Sequence, residues 1–92
     1  MDFKYESDRI YLNHSSGKLL AEITFPESSD GIVVINHTFV DNSLRGQGVA
    51  GKLVEEAAKS IKKAGKKAIP TCSYAVAWFQ KHKEYDDILA NK

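Results

Sequence analysis

Only one cysteine, Cys72, stands among the 92 residues. That rules out an internal disulfide framework and a cysteine-rich zinc site, and leaves either a buried apolar thiol or a reactive one. Charge of one sign is also scarce: 13 Lys and Arg against 12 Asp and Glu give a formal net charge of +1. A dedicated nucleic-acid surface needs clustered positive charge, so nucleic acid is not an expected partner. No apolar run approaches the roughly 18 residues a membrane span requires, so no membrane is expected. Met1-Asp2-Phe3-Lys4-Tyr5-Glu6 lacks the basic start and apolar stretch of a signal peptide, and a cytoplasmic location is expected. The three histidines are dispersed and form no metal constellation. Repeats and low-complexity segments are missing as well. What remains is 42% hydrophobic and 27% charged, the balance of a globular chain. At this length roughly 60–65% of the unfolded surface can be buried, so residues 1–92 read as one minimal domain.

Arg9-Ile10-Tyr11-Leu12-Asn13 alternates polar with apolar residues and runs into the turn formers His14-Ser15-Ser16-Gly17, predicting a strand and a tight turn. Residues 18–25 predict a second strand, ended by Pro26-Glu27-Ser28-Ser29-Asp30-Gly31, and the β-branched residues 32–40 a third. The opening residues to Ser7 either add a short strand or lie across the surface. From Val49 the period becomes helical: Val49, Leu53, Ala57 and Ile61 form one stripe with Val54, Ala58 and Ala64 beside it. Glu55 and Lys59 are spaced to pair on the wet face, and Gly65 suits a left-handed helix stop. Lys67-Ala68-Ile69 then predicts a strand parallel to its neighbour, since a helical crossover returns that way most simply. Residues 74–82 predict a second helix, with Trp78 and Phe79 as core residues. The tail from Glu84 to Lys92 suits a last short helical turn. The fold class is α+β: an antiparallel meander extended by one parallel strand through a helix, with a second helix following.

The segment from Val40 to Ala50 joins an apolar strand to an amphipathic helix. Gly46 and Gly48 let the backbone turn sharply, and a helix start offers unpaired N–H groups and partial positive charge, so a phosphate group fits there. Arg45 supplies a planar donor, while Ala50 and Gly51 keep the first helical turn thin. Two glycines alone more often make a plain turn. The spacing is neither a Walker A loop nor a dinucleotide fingerprint, which removes support for nucleotide hydrolysis and dinucleotide binding.

Arg45-Gly46-Gln47-Gly48-Val49-Ala50 resembles the Arg/Gln-x-x-Gly-x-Gly/Ala pyrophosphate loop of GNAT N-acetyltransferases. His37-Thr38-Phe39-Val40 before it, Pro70-Thr71-Cys72-Ser73-Tyr74 after it and Lys81-His82-Lys83-Glu84-Tyr85 look like a small subfamily of stand-alone GNAT-like proteins. Lys83 stands where that subfamily usually has proline, and Lys81 where it has arginine. The resemblance covers nearly the whole chain from Arg9 onward and implies a truncated GNAT-like fold with acetyl-CoA as cosubstrate. It implies that Val40 offers backbone groups to pantetheine, between the splayed strands of residues 32–40 and 67–69. Arg45, Gly46, Gln47, Gly48, Val49 and Ala50 would hold the pyrophosphate. Larger GNAT enzymes carry helices between their first two strands and extra strands at the end. This chain has neither, so its acceptor site is expected to be open, suiting a protein or exposed amine, or completed by a second subunit; a monomer or weak homodimer is expected.

Acetyl transfer to an amine needs a base, a group that stabilises the oxyanion, and an acid for the departing thiolate. Residues 32–40 hold no glutamate, which leaves His37 as the candidate base, or as a side chain that merely hydrogen-bonds the sheet. Cys72 precedes a helix, where a thiolate can form a thioester; a buried inert thiol is the alternative. The subfamily resemblance supports Cys72 as the active-site thiol. Tyr74 is the candidate acid. His82 and Tyr85 either line the cleft or tie down the tail. The expected function is acetyl transfer from acetyl-CoA to an amine of an unknown acceptor. A CoA-binding or regulatory module without catalysis is the alternative, and a protein-interaction domain whose glycine turn binds no anion is a third.

Overall fold

Alternation of apolar and polar residues builds the first layer. In a computed structural model that describes residues 2–90, the chain opens with β1 (Lys4–Glu6), β2 (Arg9–Asn13) and β3 (Leu19–Thr24). Each is antiparallel to the next, with a register shift between Leu12 and Asn13. The opening residues are therefore a strand rather than a surface arm. Ile10, Ala21 and Ile23 point to the buried side, while Arg9, Tyr11, Glu22 and Thr24 take the opposite face, as a period of two requires.

Where one strand was expected over residues 32–40, there are two: β5 (Ile32–Ile35) and β6 (His37–Val40), interrupted at Asn36. Their partners differ. β5 is antiparallel to a short β4 (Glu27–Ser29) and parallel to β7 (Lys67–Pro70), whereas β6 is antiparallel to β3. The strand orders are β1-β2-β3-β6 and β4-β5-β7. β4 falls in a segment whose Pro, Ser and Asp predict only a turn. It is held because Glu27 accepts from the Gly31 amide (3.3 Å) and from Lys66 Nζ (2.6 Å). The expected antiparallel meander with one parallel strand returned through a helix is present.

α1 (Val49–Lys63) lays Val49, Leu53, Val54, Ala57, Ala58 and Ile61 against the sheet. Full burial of each Leu, Ile or Val contributes about 1.5–3 kcal/mol. Its wet face pairs differently from expectation: Lys52 Nζ lies 3.2 Å from Glu55, and Lys59 reaches Glu56 instead of Glu55. The helix stops as Gly65 predicts. Gly65 has φ +73°, its N–H donates to the carbonyl of Lys62 and that of Lys66 to Ile61, the paired bonds of a Schellman cap.

α2 (Ser73–Lys81) buries Ala75, Trp78 and Phe79 in the common core. Trp78 stacks on His82 (centroids 4.1 Å apart) and touches Tyr85, so these residues secure the 3-10 turn of Lys83–Ile88. The expected tail helix is this 3-10 turn; Asn91 and Lys92 lie outside the described residues. Among the described residues, no helix is long and apolar enough to cross a membrane.

Candidate active site

The break at Asn36 opens a gap in the sheet. Pairing of β5 with β7 ends at Ile35 and Pro70, after which β6 stays with β3 and its other edge has no strand partner among the described residues. Such an edge presents free backbone N–H and C=O groups to an extended ligand. Ile35 also anchors the far side: its carbonyl accepts from the amides of Thr71 (2.9 Å) and Cys72 (3.3 Å) and from Thr71 Oγ1 (3.3 Å).

At the end of β6 the chain turns through a 3-10 segment, Asn42–Leu44, capped by Asp41. Asp41 Oδ2 accepts from Ser43 Oγ (2.6 Å) and Ser43 N (3.1 Å), and Lys18 Nζ lies 3.5 Å from Oδ1. These donors, Ser43 first, hold the carboxyl below its ordinary value of 3.8. The capped turn delivers Arg45 and then two left-handed glycines, Gly46 (φ +82°) and Gly48 (φ +74°). A residue with a Cβ meets a steric cost there.

α1 starts at Gly48 with no side-chain cap, and its first intrahelical bond is donated by Lys52 to the Gly48 carbonyl. The N–H groups of Val49, Ala50 and Gly51 therefore have no helical acceptor and belong to the positive end of the helix. Arg45 makes no ion pair among the described residues. An exposed arginine and uncapped amides on a glycine turn are the donor set a diphosphate requires.

A cleft of about 490 Å³ lies over this turn, lined by Thr38, Val40, Leu44, Arg45, Gly46, Gly48, Val49, Ala50 and Tyr74. Six of the seven residues expected to hold a cofactor line it. Gln47 does not: its side-chain amide donates to the Ser43 carbonyl (3.4 Å) and borders a neighbouring cleft with Phe3, Tyr5 and Lys52. Gly51 is not in the lining either and borders a neighbouring cleft with Lys52, Trp78 and His82. A Cβ there would come within 3.3 Å of the Tyr74 hydroxyl and 3.9 Å of Trp78 Nε1, so its small size lets α1 and α2 approach and leaves room for Tyr74.

The three side chains expected to carry chemistry are divided between two faces. Tyr74, on the first turn of α2 and 44% exposed, lines the cleft. Cys72 occupies the N-cap position of α2, half-buried, with its sulfur 3.4 Å from Thr38 Oγ1. It meets the cleft through Thr38. His37 lies on the opposite face of β6, because Thr38 and Val40 take the cleft side; its Nε2 is 3.4 Å from Glu22 Oε1. Two residues were not singled out from the sequence. Thr38 is found by strand alternation once Val40 is placed in the cleft, whereas the approach of Glu22 depends on β3–β6 pairing and has no local signal. Among the described residues, no group of three or more His, Cys, Asp or Glu is placed to hold a metal ion.

Residues 4–88 match the family described as GCN5-related N-acetyl-transferase. In solved structures, the chain resembles a GCN5-like protein from Staphylococcus aureus, with a TM-score of 0.79 and 30% identity over 96% of this chain and 86% of that one. It also resembles an acetyltransferase from Bacillus cereus (TM-score 0.64, 22% identity, 80% of this chain and 54% of that one). A GNAT family N-acetyltransferase from Escherichia coli in complex with CoA gives a TM-score of 0.62 at 18% identity, over 84% of this chain and 43% of that one. The chain thus spans about half the length of these two larger acetyltransferases. No curated protein matches the sequence. The cleft and its glycine turn, together with a family match across nearly the whole chain, establish that this protein belongs to the GCN5-related N-acetyltransferase family.

Proposed function

We propose that residues 1–92 act as one minimal unit that binds acetyl-CoA in the cleft of Thr38, Val40 and the residue 45–50 turn, and moves its acetyl group to an amine. One observation carries this reading: an uncapped helix start behind two left-handed glycines opens directly onto the unpaired edge of β6. A diphosphate fits the first, and an extended amide-bearing arm the second. The Escherichia coli protein, alike in fold, is in complex with CoA, which supports CoA as the kind of ligand this fold takes.

Acetyl-CoA supplies an acetyl group activated as a thioester. Arg45 and the amides of Gly46, Gly48, Val49 and Ala50 hold the diphosphate, and the backbone of Val40 pairs with the pantetheine arm. An amine that enters the gap from the face opposite the cleft gives its proton to His37 as its nitrogen bonds to the acetyl carbon, and on the cleft side the Tyr74 hydroxyl donates a proton to the sulfur released when the carbon–sulfur bond breaks. A second route is supported by the contact of Cys72 with Thr38 beside the cleft. There the Cys72 sulfur takes the acetyl group and its proton passes to the departing CoA sulfur; the amine nitrogen then bonds to the acetyl carbon as the bond to Cys72 breaks, and the amine proton returns to the Cys72 sulfur.

The partial exposure of Tyr74 in the cleft lining supports an open acceptor side, suited to an exposed amine or a protein. The same proposal keeps the protein cytoplasmic, as a monomer or weak homodimer. Incubation with acetyl-CoA and a panel of amines and lysine-containing peptides, followed by intact-mass measurement, tests it. Acetylated product is the expected result. Tight acetyl-CoA binding with no acetylation of any acceptor favours a CoA-binding module instead.

A further inference from the structure

The sheet face opposite α1 carries an ordered chain of charged groups that the cleft does not use. Glu22, on β3, sits diagonal to His37, since the register pairs Glu22 with Phe39 and Thr24 with His37. Its Oε1 is 3.4 Å from His37 Nε2, and its other oxygen accepts from Arg9 Nε. Arg9 is itself held on two further sides, by Glu6 at 3.6 Å and by the Tyr11 ring, whose centroid lies 3.8 Å from the guanidinium carbon. Exposure rises along the chain: the Glu22 side chain is 17% exposed and that of His37 51%.

Surface ion pairs are usually worth little to stability. Two features set this one apart. Both carboxylate oxygens of Glu22 have a neighbour: Arg9 Nε donates to one, and the other lies at ion-pair distance from His37 Nε2. The imidazole it touches stands on the strand that borders the gap, next to Thr38, which lines the cleft and touches Cys72. His37 and Thr38 thus face opposite sides of the same opening.

We infer that Glu22 is a positioning residue for His37, holding the imidazole at the outer mouth of the gap with its proton on Nε2 and Nδ1 free to accept the proton of an incoming amine. A carboxylate beside one ring nitrogen favours the tautomer protonated there, as in catalytic triads and metal sites. The inference rests on the reading of His37 as the base.

Its test combines a spectroscopic readout with a kinetic one. In wild-type protein carrying 15N-labelled histidine, neutral His37 is expected in the Nε2–H tautomer, and in Glu22→Ala both tautomers are expected to be populated. Glu22→Gln, whose amide oxygen still accepts, keeps the wild-type tautomer and provides a second variant if Glu22→Ala folds poorly. With a lysine peptide that the wild type acetylates, kcat is expected to fall about tenfold or more in Glu22→Ala. The acetyl-CoA Kd stays within about twofold by calorimetry, and adding His37→Ala causes no further loss, as for two residues acting as a unit. An unchanged tautomer in Glu22→Ala, losses that multiply in the double variant, or a Kd that moves with the rate would each overturn the inference alone. A wild-type chain that binds acetyl-CoA but acetylates nothing overturns the parent reading, and this one with it.

Discussion

The hydroxyl of Thr38 lies 3.4 Å from the sulfur of Cys72, joining β6 to the start of α2 just beyond the last β5–β7 pair. It is a polar contact across the gap at the level of the cleft. A side-chain hydrogen bond contributes about 1 kcal/mol, or about fivefold in an equilibrium. Thr38→Val, which keeps the side-chain shape and removes that bond, should therefore change the rate at which iodoacetamide alkylates Cys72 by up to about fivefold without altering thermal unfolding appreciably. An unchanged rate would mean the contact does not influence the thiol.

Gly48 has φ +74° and no heavy atom within 4 Å of where a Cβ would stand, so Gly48→Ala meets backbone strain and no clash. Left-handed backbone costs an L-residue about 1–2 kcal/mol. Denaturant unfolding should register a loss of about that size, and acetyl-CoA affinity should fall with it as the amides of the turn are re-aimed. Unaltered stability and affinity would show that the turn does not need its left-handed residue.

Gly51→Ala separates positioning from binding. The new methyl carbon would stand 3.3 Å from the Tyr74 hydroxyl, close enough to push it aside. Ala is the better helix former, by up to about 1 kcal/mol over Gly and less in a first turn such as this one, which offsets part of the crowding. Global stability and acetyl-CoA affinity should therefore change little, while kcat falls. Equal activity in the variant would remove Tyr74 from the account of the leaving group.

Tyr5 ties β1 to α1: its hydroxyl donates to Glu56 Oε1 at 2.7 Å. That bond is the main cause holding the Glu56 carboxyl below its ordinary value of 4.5 and raising the Tyr5 phenol above 10.0. The signs follow. Glu56 is depressed in the folded state, so its contribution is present above pH 4.5 and is lost as pH falls through the folded pKa. Tyr5 is raised, so its share is present below pH 10.0 and is lost as pH rises through the folded pKa. Tyr5 is more than half exposed, which reduces the contribution to about 0.5 kcal/mol. Tyr5→Phe should lose that amount near pH 7, with the difference shrinking below pH 4.5 in urea titrations.

Local periodicity made α1, α2 and the β2–β3 hairpin legible, because each presents its own apolar face at a spacing the chain alone determines. Gly46 and Gly48 were legible as a turn for the same reason, and both are left-handed. The division of residues 32–40 was not. Ile32, Val33, Val34, Ile35, Phe39 and Val40 all favour strand, so nothing local marks the point where β5 keeps β7 and β6 keeps β3. Only tertiary pairing decides that point, and with it the facing of His37 away from Thr38. β4 was hidden for the opposite reason: Glu27, Ser28 and Ser29 are poor strand formers, held in place by Gly31 and by Lys66, 39 residues away.

The central claim is that the cleft at the start of α1 holds acetyl-CoA. Titration of 15N-labelled protein with acetyl-CoA, followed by amide chemical shifts, tests it most directly. The account predicts saturable binding to one site, with the largest shifts at Thr38, Val40, Leu44 to Ala50 and Tyr74. A folded protein whose spectrum does not respond, or whose shifts centre away from this turn, would contradict it.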